Sequence, residues 1–145
     1  MAALIVREDL DTVGDRALGH YTHEKSSVGC AAALATIECL LEEKLIDNSI
    51  ILGKKGLRRL EDMKSRYSII SDVRGLGLFF GIELTKNSEP AQKEAEEVLY
   101  HSLSNGLSYK VGGGCILTLC PPMTITEEEL NAAFDVIEAG IKEVS

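Results

Sequence analysis

The chain has 145 residues, 45% hydrophobic and 26% charged, with 23 acidic against 15 basic residues and a formal net charge of -8 at pH 7. That length suits one domain with a sizeable core rather than two, and the mixed composition excludes a disordered chain. The acidic balance, with no basic stripe, excludes a phosphate-backbone binder, whose affinity comes from clustered lysine and arginine. The longest apolar runs, CAAALATI and LGLFFGIEL, are too short to span a membrane. The N-terminus MAALIVREDLD has no basic n-region followed by a long apolar segment, so the protein is expected to be cytoplasmic.

Taken in chain order, the first 27 residues have weak periodicity and end in GHYTHEKSS, Gly19 to Ser27. Two histidines, a tyrosine and three hydroxyl residues stand there before a helix-forming run. Ser26 or Ser27 is expected to cap that helix. Two further readings stay open from the residues alone. His20, His23 and Glu24 offer metal-ligand chemistry without a defined geometry, and no metal site is expected. Hydroxyls, Lys25 and the amides of a helix start suit an anion.

Residues 28 to 45 carry apolar side chains on most faces, which predicts a helix buried along much of its length. Cys30 and Cys39 lie on its apolar pattern. With Cys115 and Cys120 they show neither a C-x-x-C pair nor regular disulfide spacing, so all four are expected to be structural free thiols. Asp47 offers an N-cap for a second, amphipathic helix through about Tyr67, with Ile50, Ile51, Leu57, Leu60 and Met63 as its inner face. Gly53 and Gly56 weaken it.

SIISDVRGLGLFFGIEL changes the period. Its β-branched and aromatic residues, interrupted by Gly75, Gly77 and Gly81, predict a strand whose backbone approaches something closely. Ser88 and Pro90 are expected to open a third helix that stops at Asn105 and Gly106. Two short strands, about 107–111 and 115–119, follow on either side of three glycines. PPMTITEEEL then makes a turn and a capping box between Thr126 and Glu129, leading to a last helix that ends near Glu143. The order helix, helix, strand, helix, strand, strand, helix predicts an α+β (α/β) layer in which helices cover a small sheet.

The blocks GHYTHEKSSVGCAAALATIECLLEEKL, DVRGLGLFFGIEL and NGLSYKVGGGCILTLCPPMTITEEEL, in this order and spacing, resemble the C-terminal third of class III aminotransferases. These are fold type I pyridoxal-phosphate enzymes that include the 4-aminobutyrate, ornithine and acetylornithine aminotransferases. The resemblance covers essentially the whole chain. It implies a small C-terminal domain at 47–145, an interdomain helix at 28–46, and a remnant of the large cofactor domain at 1–27.

In that family the cofactor lysine, the aspartate on the pyridine nitrogen and the aromatic stacked on the ring belong to a large domain upstream, because the ring must be held as a Schiff base and tuned as an electron sink. None of the nine lysines here stands in a matching strand-to-loop context. The resemblance therefore implies the C-terminal part of an enzyme that moves an amino group between an amine or amino acid and an oxo acid. The chain alone is expected to be inactive, with the missing large domain and a homodimer as its partners. Thr22 matches a threonine that donates to the cofactor phosphate of the neighbouring subunit.

Amino-acid-specific relatives read Arg-x-x-Pro-Pro near the C-terminus, where the arginine pairs with a substrate carboxylate through two hydrogen bonds. Here the run is Thr118-Leu119-Cys120-Pro121-Pro122, and the guanidinium is gone. Lys110, on the preceding strand, is the candidate replacement charge. Arg74 reads either as a substrate clamp or, the favoured reading, as a structural arginine bonded to carbonyls or a carboxylate. Amines without a carboxylate at this point, and a lyase, decarboxylase or racemase branch, stay open. So does a stand-alone α+β ligand-binding or interaction domain that has lost the chemistry.

Overall fold

The chain divides into two units, Met1–Lys44 and Leu45–Ser145, and the computed structural model describes residues 5–10, 12, 14 and 26–145. In the first unit, helix α1 spans Ser27–Glu42, and the Ser26 hydroxyl accepts from the Gly29 amide at 3.4 Å, the cap expected from the sequence. Burial along α1 is not observed. None of its residues is buried, and Val28 is 78% exposed. Apolar composition gives a helix something to bury, but burial itself requires an opposing surface.

The second unit opens with α2, Leu45–Arg66, which starts two residues before the expected cap Asp47. Asp47 lies inside the first turn, where its charge complements the helix dipole without serving as the cap. The buried stripe also differs from the expected one. It runs through Leu45, Leu52, Gly53, Gly56, Leu60 and Met63, whereas Ile50 and Ile51 are exposed and Leu57 is half-buried. A Cβ added at Gly53 would fall on the Gly77 backbone, and one at Gly56 would come within 2.7 Å of the Phe80 ring. These glycines set how closely the helix lies on the strands.

The single strand expected over 68–84 is a hairpin of β1 (Ile70–Leu76) and β2 (Phe79–Lys86). It turns at Gly77, whose φ of 56° lies in the left-handed region that glycine enters without steric cost. β2 continues through a second tight turn into β3, Glu89–Pro90. Asn87 and Ser88 form that turn with positive φ, so Ser88 belongs to the turn and Pro90 to β3, and neither starts the next helix. Helix α3, Gln92–Ser104, begins after Ala91 with no side-chain cap and stops at Asn105 and Gly106 as expected. β4 (Lys110–Gly112) and β5 (Ile116–Leu119) follow, then α4 (Glu127–Val144). At the start of α4 the Glu129 amide donates to the Thr126 hydroxyl at 3.2 Å, and the Thr126 amide donates to the Glu129 carboxylate at 2.9 Å.

All strand pairs are antiparallel, in the order β1-β2-β5-β4, with β3 added to β2. Alternate residues Val73, Phe80, Ile82, Leu84, Leu117 and Leu119 form one buried face. They share a core with Leu60 and Met63 of α2, Ala95 and Val98 of α3, and Phe134, Ile137 and Ile141 of α4. Phe80 meets Phe134 edge to face at 5.6 Å. Across the α2–α4 seam, Arg59 pairs with Asp135 at 2.5 Å and Arg66 pairs with Glu138. The α+β arrangement read from the sequence is therefore present, with helices packed on one face of a small sheet.

Candidate functional site

The other face of the sheet carries the residues singled out for substrate contact. Strand register puts four residues in one cross-strand row: Arg74 opposite Gly81, Gly81 opposite Thr118, and Thr118 opposite Lys110. Side chains of directly opposed residues point to the same face. The structure thus brings together the two residues singled out for substrate contact, Thr118 and Lys110.

Thr118 is half-buried, and its hydroxyl donates to the Ile116 carbonyl at 3.4 Å. So long a bond leaves most of the hydroxyl's capacity for a ligand. Lys110 is exposed beside it. Both line a groove of about 600 Å³ walled by Phe79, Tyr109, Pro121, Pro122 and the first turns of α4 at Glu129 and Leu130. Burial pushes the Tyr109 phenol above its ordinary range, against the effect of its 3.1 Å hydrogen bond with Ser102. Tyr109 therefore supplies neutral, largely apolar wall.

Thr118 and Phe79 also line a second cavity, of about 400 Å³, which contains Arg74, Leu76, Gly81 and Ile116. Arg74 Nη1 donates to Asp72 at 2.6 Å and to Glu83 at 2.8 Å. The Glu83 and Asp72 carboxylates raise the guanidinium's pKa. In return the Arg74 hydrogen bond holds the Asp72 carboxyl below its ordinary range. These contacts tie β1 to β2, which is the structural role favoured from the sequence.

Phe79 was not singled out from the sequence, although a signal was available. With the hairpin turn placed at Gly77, the two-residue alternation puts Phe79 and Gly81 on the same face as Arg74. Thr22, His20, His23, Glu24 and Lys25 lie outside the described residues. Among the described residues no group of three or more histidine, cysteine, aspartate or glutamate side chains is placed to hold a metal. Nor is any described helix long and apolar enough to cross a membrane. The four cysteines are free thiols; Cys115 is buried, whereas Cys30 and Cys120 are exposed.

A lysine that carries pyridoxal phosphate is activated by desolvation or by a neighbouring cation. No lysine among the described residues is buried, and Lys110 alone of them lines the groove. The described residues therefore do not by themselves form a site for this cofactor, and no chemical step through it follows from them.

Comparison with known proteins decides the family. The profile described as Aminotransferase class-III matches residues 6–141. The chain belongs to the class-III aminotransferase family. It is 42% identical, over 99% of its length, to the (R)-1-hydroxy-2-aminoethylphosphonate ammonia-lyase of Vibrio splendidus, and covers 31% of that protein. With the leucine/methionine racemase of Thermococcus litoralis it shares 37% identity over 88% of its length, covering 30% of that relative. Among solved structures, an amine transaminase from an uncultivated Pseudomonas species, in a pyridoxal-phosphate-bound internal aldimine form, superposes with a TM-score of 0.81 at 25% identity. That superposition covers 88% of this chain and 30% of the transaminase. The chain thus spans about a third of the length of the relatives it matches.

Proposed function

We propose that this chain is the small-domain part of a cytoplasmic, pyridoxal-phosphate-dependent class III enzyme, and that the Thr118 groove receives the end of the substrate remote from its reacting amine. The observation that carries the proposal is the pairing of Thr118 with Lys110 in a groove that ends at Pro121 and Pro122. A guanidinium at position 118 would match a planar carboxylate with two parallel hydrogen bonds, whereas a hydroxyl beside an ammonium gives one neutral donor and one point charge. Such a groove favours a primary amine whose remote end is neutral or carries a compact, tetrahedral anion.

In this reading residues 1–27 belong with the large cofactor domain, 28–46 link it to the small domain, and Thr22 donates to the cofactor phosphate of the neighbouring subunit of a homodimer. When bound, the cofactor supplies the electron sink for amine chemistry. This chain orients the substrate and walls the groove with Phe79 and Tyr109. The reaction proposed first is amino-group transfer from an amine or amino acid to an oxo acid. Ammonia elimination is the second reading. It is favoured by the 42% identical ammonia-lyase, whose substrate name describes a primary amine with a phosphonate and no carboxylate.

The complete enzyme, supplied with primary amines and with α-amino acids, separates these readings. Amine consumption that requires an oxo acid supports transfer, and ammonia release without one supports elimination. Binding of amines with neither outcome, and with the cofactor present, points to a domain that has lost the chemistry.

A further inference from the structure

The second cavity holds an arginine whose hydrogen-bonding capacity is only partly used. A guanidinium has five N–H donors, and Arg74 meets both Asp72 and Glu83 through Nη1. Neither Nε nor Nη2 donates to a described residue. Those two nitrogens form the edge that fits the two oxygens of a carboxylate.

The Arg74 side chain runs along the cross-strand row over Gly81. A Cβ added there would come 3.6 Å from Arg74 Cγ and 3.9 Å from Nε. Asp72 and Glu83 hold the guanidinium in place before any ligand arrives. Lys64 Nζ lies 3.7 Å from Asp72, so two cations face two carboxylates and an incoming anion meets no net negative charge. Beyond the guanidinium the wall is apolar, formed by Leu76, Phe79 and Ile116 with the Thr118 hydroxyl at its border. Leu76 is 87% exposed and Phe79 56%, which leaves apolar area for a ligand to cover.

We infer that the Arg74 edge and this cavity bind a monocarboxylate with a short apolar tail. The carboxylate lies across Nε and Nη2, and the tail runs over Leu76 and Ile116 toward Phe79. A planar anion is favoured over a phosphate by the fork, and a single charge by the balanced ion pairs beneath it. The inference goes beyond the amine chemistry proposed for the groove and does not depend on it, because it concerns binding to this chain alone.

Titration of the full chain with hexanoate, followed by NMR at the Arg74 Nε–H and the Gly75 and Gly81 amides, tests the assignment. Saturable shifts confined to these groups are expected, with none from hexylamine. Arg74→Lys, which keeps the charge and removes the fork, should weaken binding at least fivefold. Leu76→Asp, at an exposed position that lines the cavity, puts a carboxylate where the apolar tail lies and should weaken binding severalfold, so it decides the matter should Arg74→Lys fail to fold. Unchanged affinity in the folded variants, shifts centred on Lys110, or no saturable shift at all would overturn the assignment.

Discussion

Helices α1 and α2 show how little apolar content alone says about burial. α1 is the more apolar of the two by sequence and has no buried residue, while α2 carries lysines, arginines and two glycines and buries six positions. Within its own unit α2 has an opposing surface. α2 meets a sheet and α4 across a stripe that includes Gly53 and Gly56, and its cations reach acids on α4. The stability of the Leu45–Ser145 unit should therefore respond to changes along the α2 interface, whereas the exposed positions of α1 have little burial to lose.

The largest effect is expected at the centre of the core that α2 closes. Phe134→Ala removes a fully buried ring packed on Phe80, and should cost about 3–5 kcal/mol in denaturant unfolding. Next comes Gly56→Ala. Alanine favours a helix by about 1 kcal/mol over glycine, but here its methyl would press on Phe80 and lie 3.3 Å from Phe134. A net loss of about 1–3 kcal/mol is expected from overpacking. A net gain would show that the helix can lift off the hairpin.

A smaller effect should come from the α2–α4 ion pairs and depend on pH. The Arg66 hydrogen bond, supported by Tyr67 and Arg59, holds the Glu138 carboxyl below its ordinary range. A carboxyl depressed in the folded state contributes stability above its unfolded pKa of about 4.3, and that contribution is lost as pH falls through the folded value. Glu138→Gln should therefore destabilise the chain at neutral pH by about 1 kcal/mol or less, with the difference shrinking below about pH 4. The smallest effect belongs to α1. Leu34→Asp, at an exposed position, should move the unfolding of the Leu45–Ser145 unit by no more than about 0.5 kcal/mol. A loss several times larger would break the contrast between the helices.

Signals confined to a few neighbouring residues were legible in the sequence. The Ser26 cap, the Thr126–Glu129 capping box and the Asn105–Gly106 stop are each settled within four residues, and the structure has all three. Features that depend on distant partners were not legible. The α2 stripe passes through glycines because Gly77 and Phe80 come close there, a fact recorded 24 residues from Gly53 and Gly56 and not within the helix. The hairpin was hidden for a related reason: Gly77 interrupts an apolar run that reads as one strand until its left-handed φ is known. At the candidate site, Thr118 and Lys110 were found through the Pro-Pro run and the preceding strand. Their alignment with Arg74 and Gly81 follows from sheet register, which no local pattern specifies.

Thr118 puts a hydroxyl where the resemblance to amino-acid-specific class III enzymes implies a guanidinium, and the proposed substrate preference follows from that exchange. The direct measurement is the ratio of kcat/KM for an ordinary α-amino acid to that for an amine without a carboxylate, in the complete enzyme and in its Thr118→Arg variant. Charge-assisted hydrogen bonds to a carboxylate contribute about 1.5–3 kcal/mol, so the ratio should rise at least tenfold toward the amino acid. An unchanged ratio in a folded variant that retains its cofactor would contradict the assignment of the Thr118 groove to the remote end of the substrate.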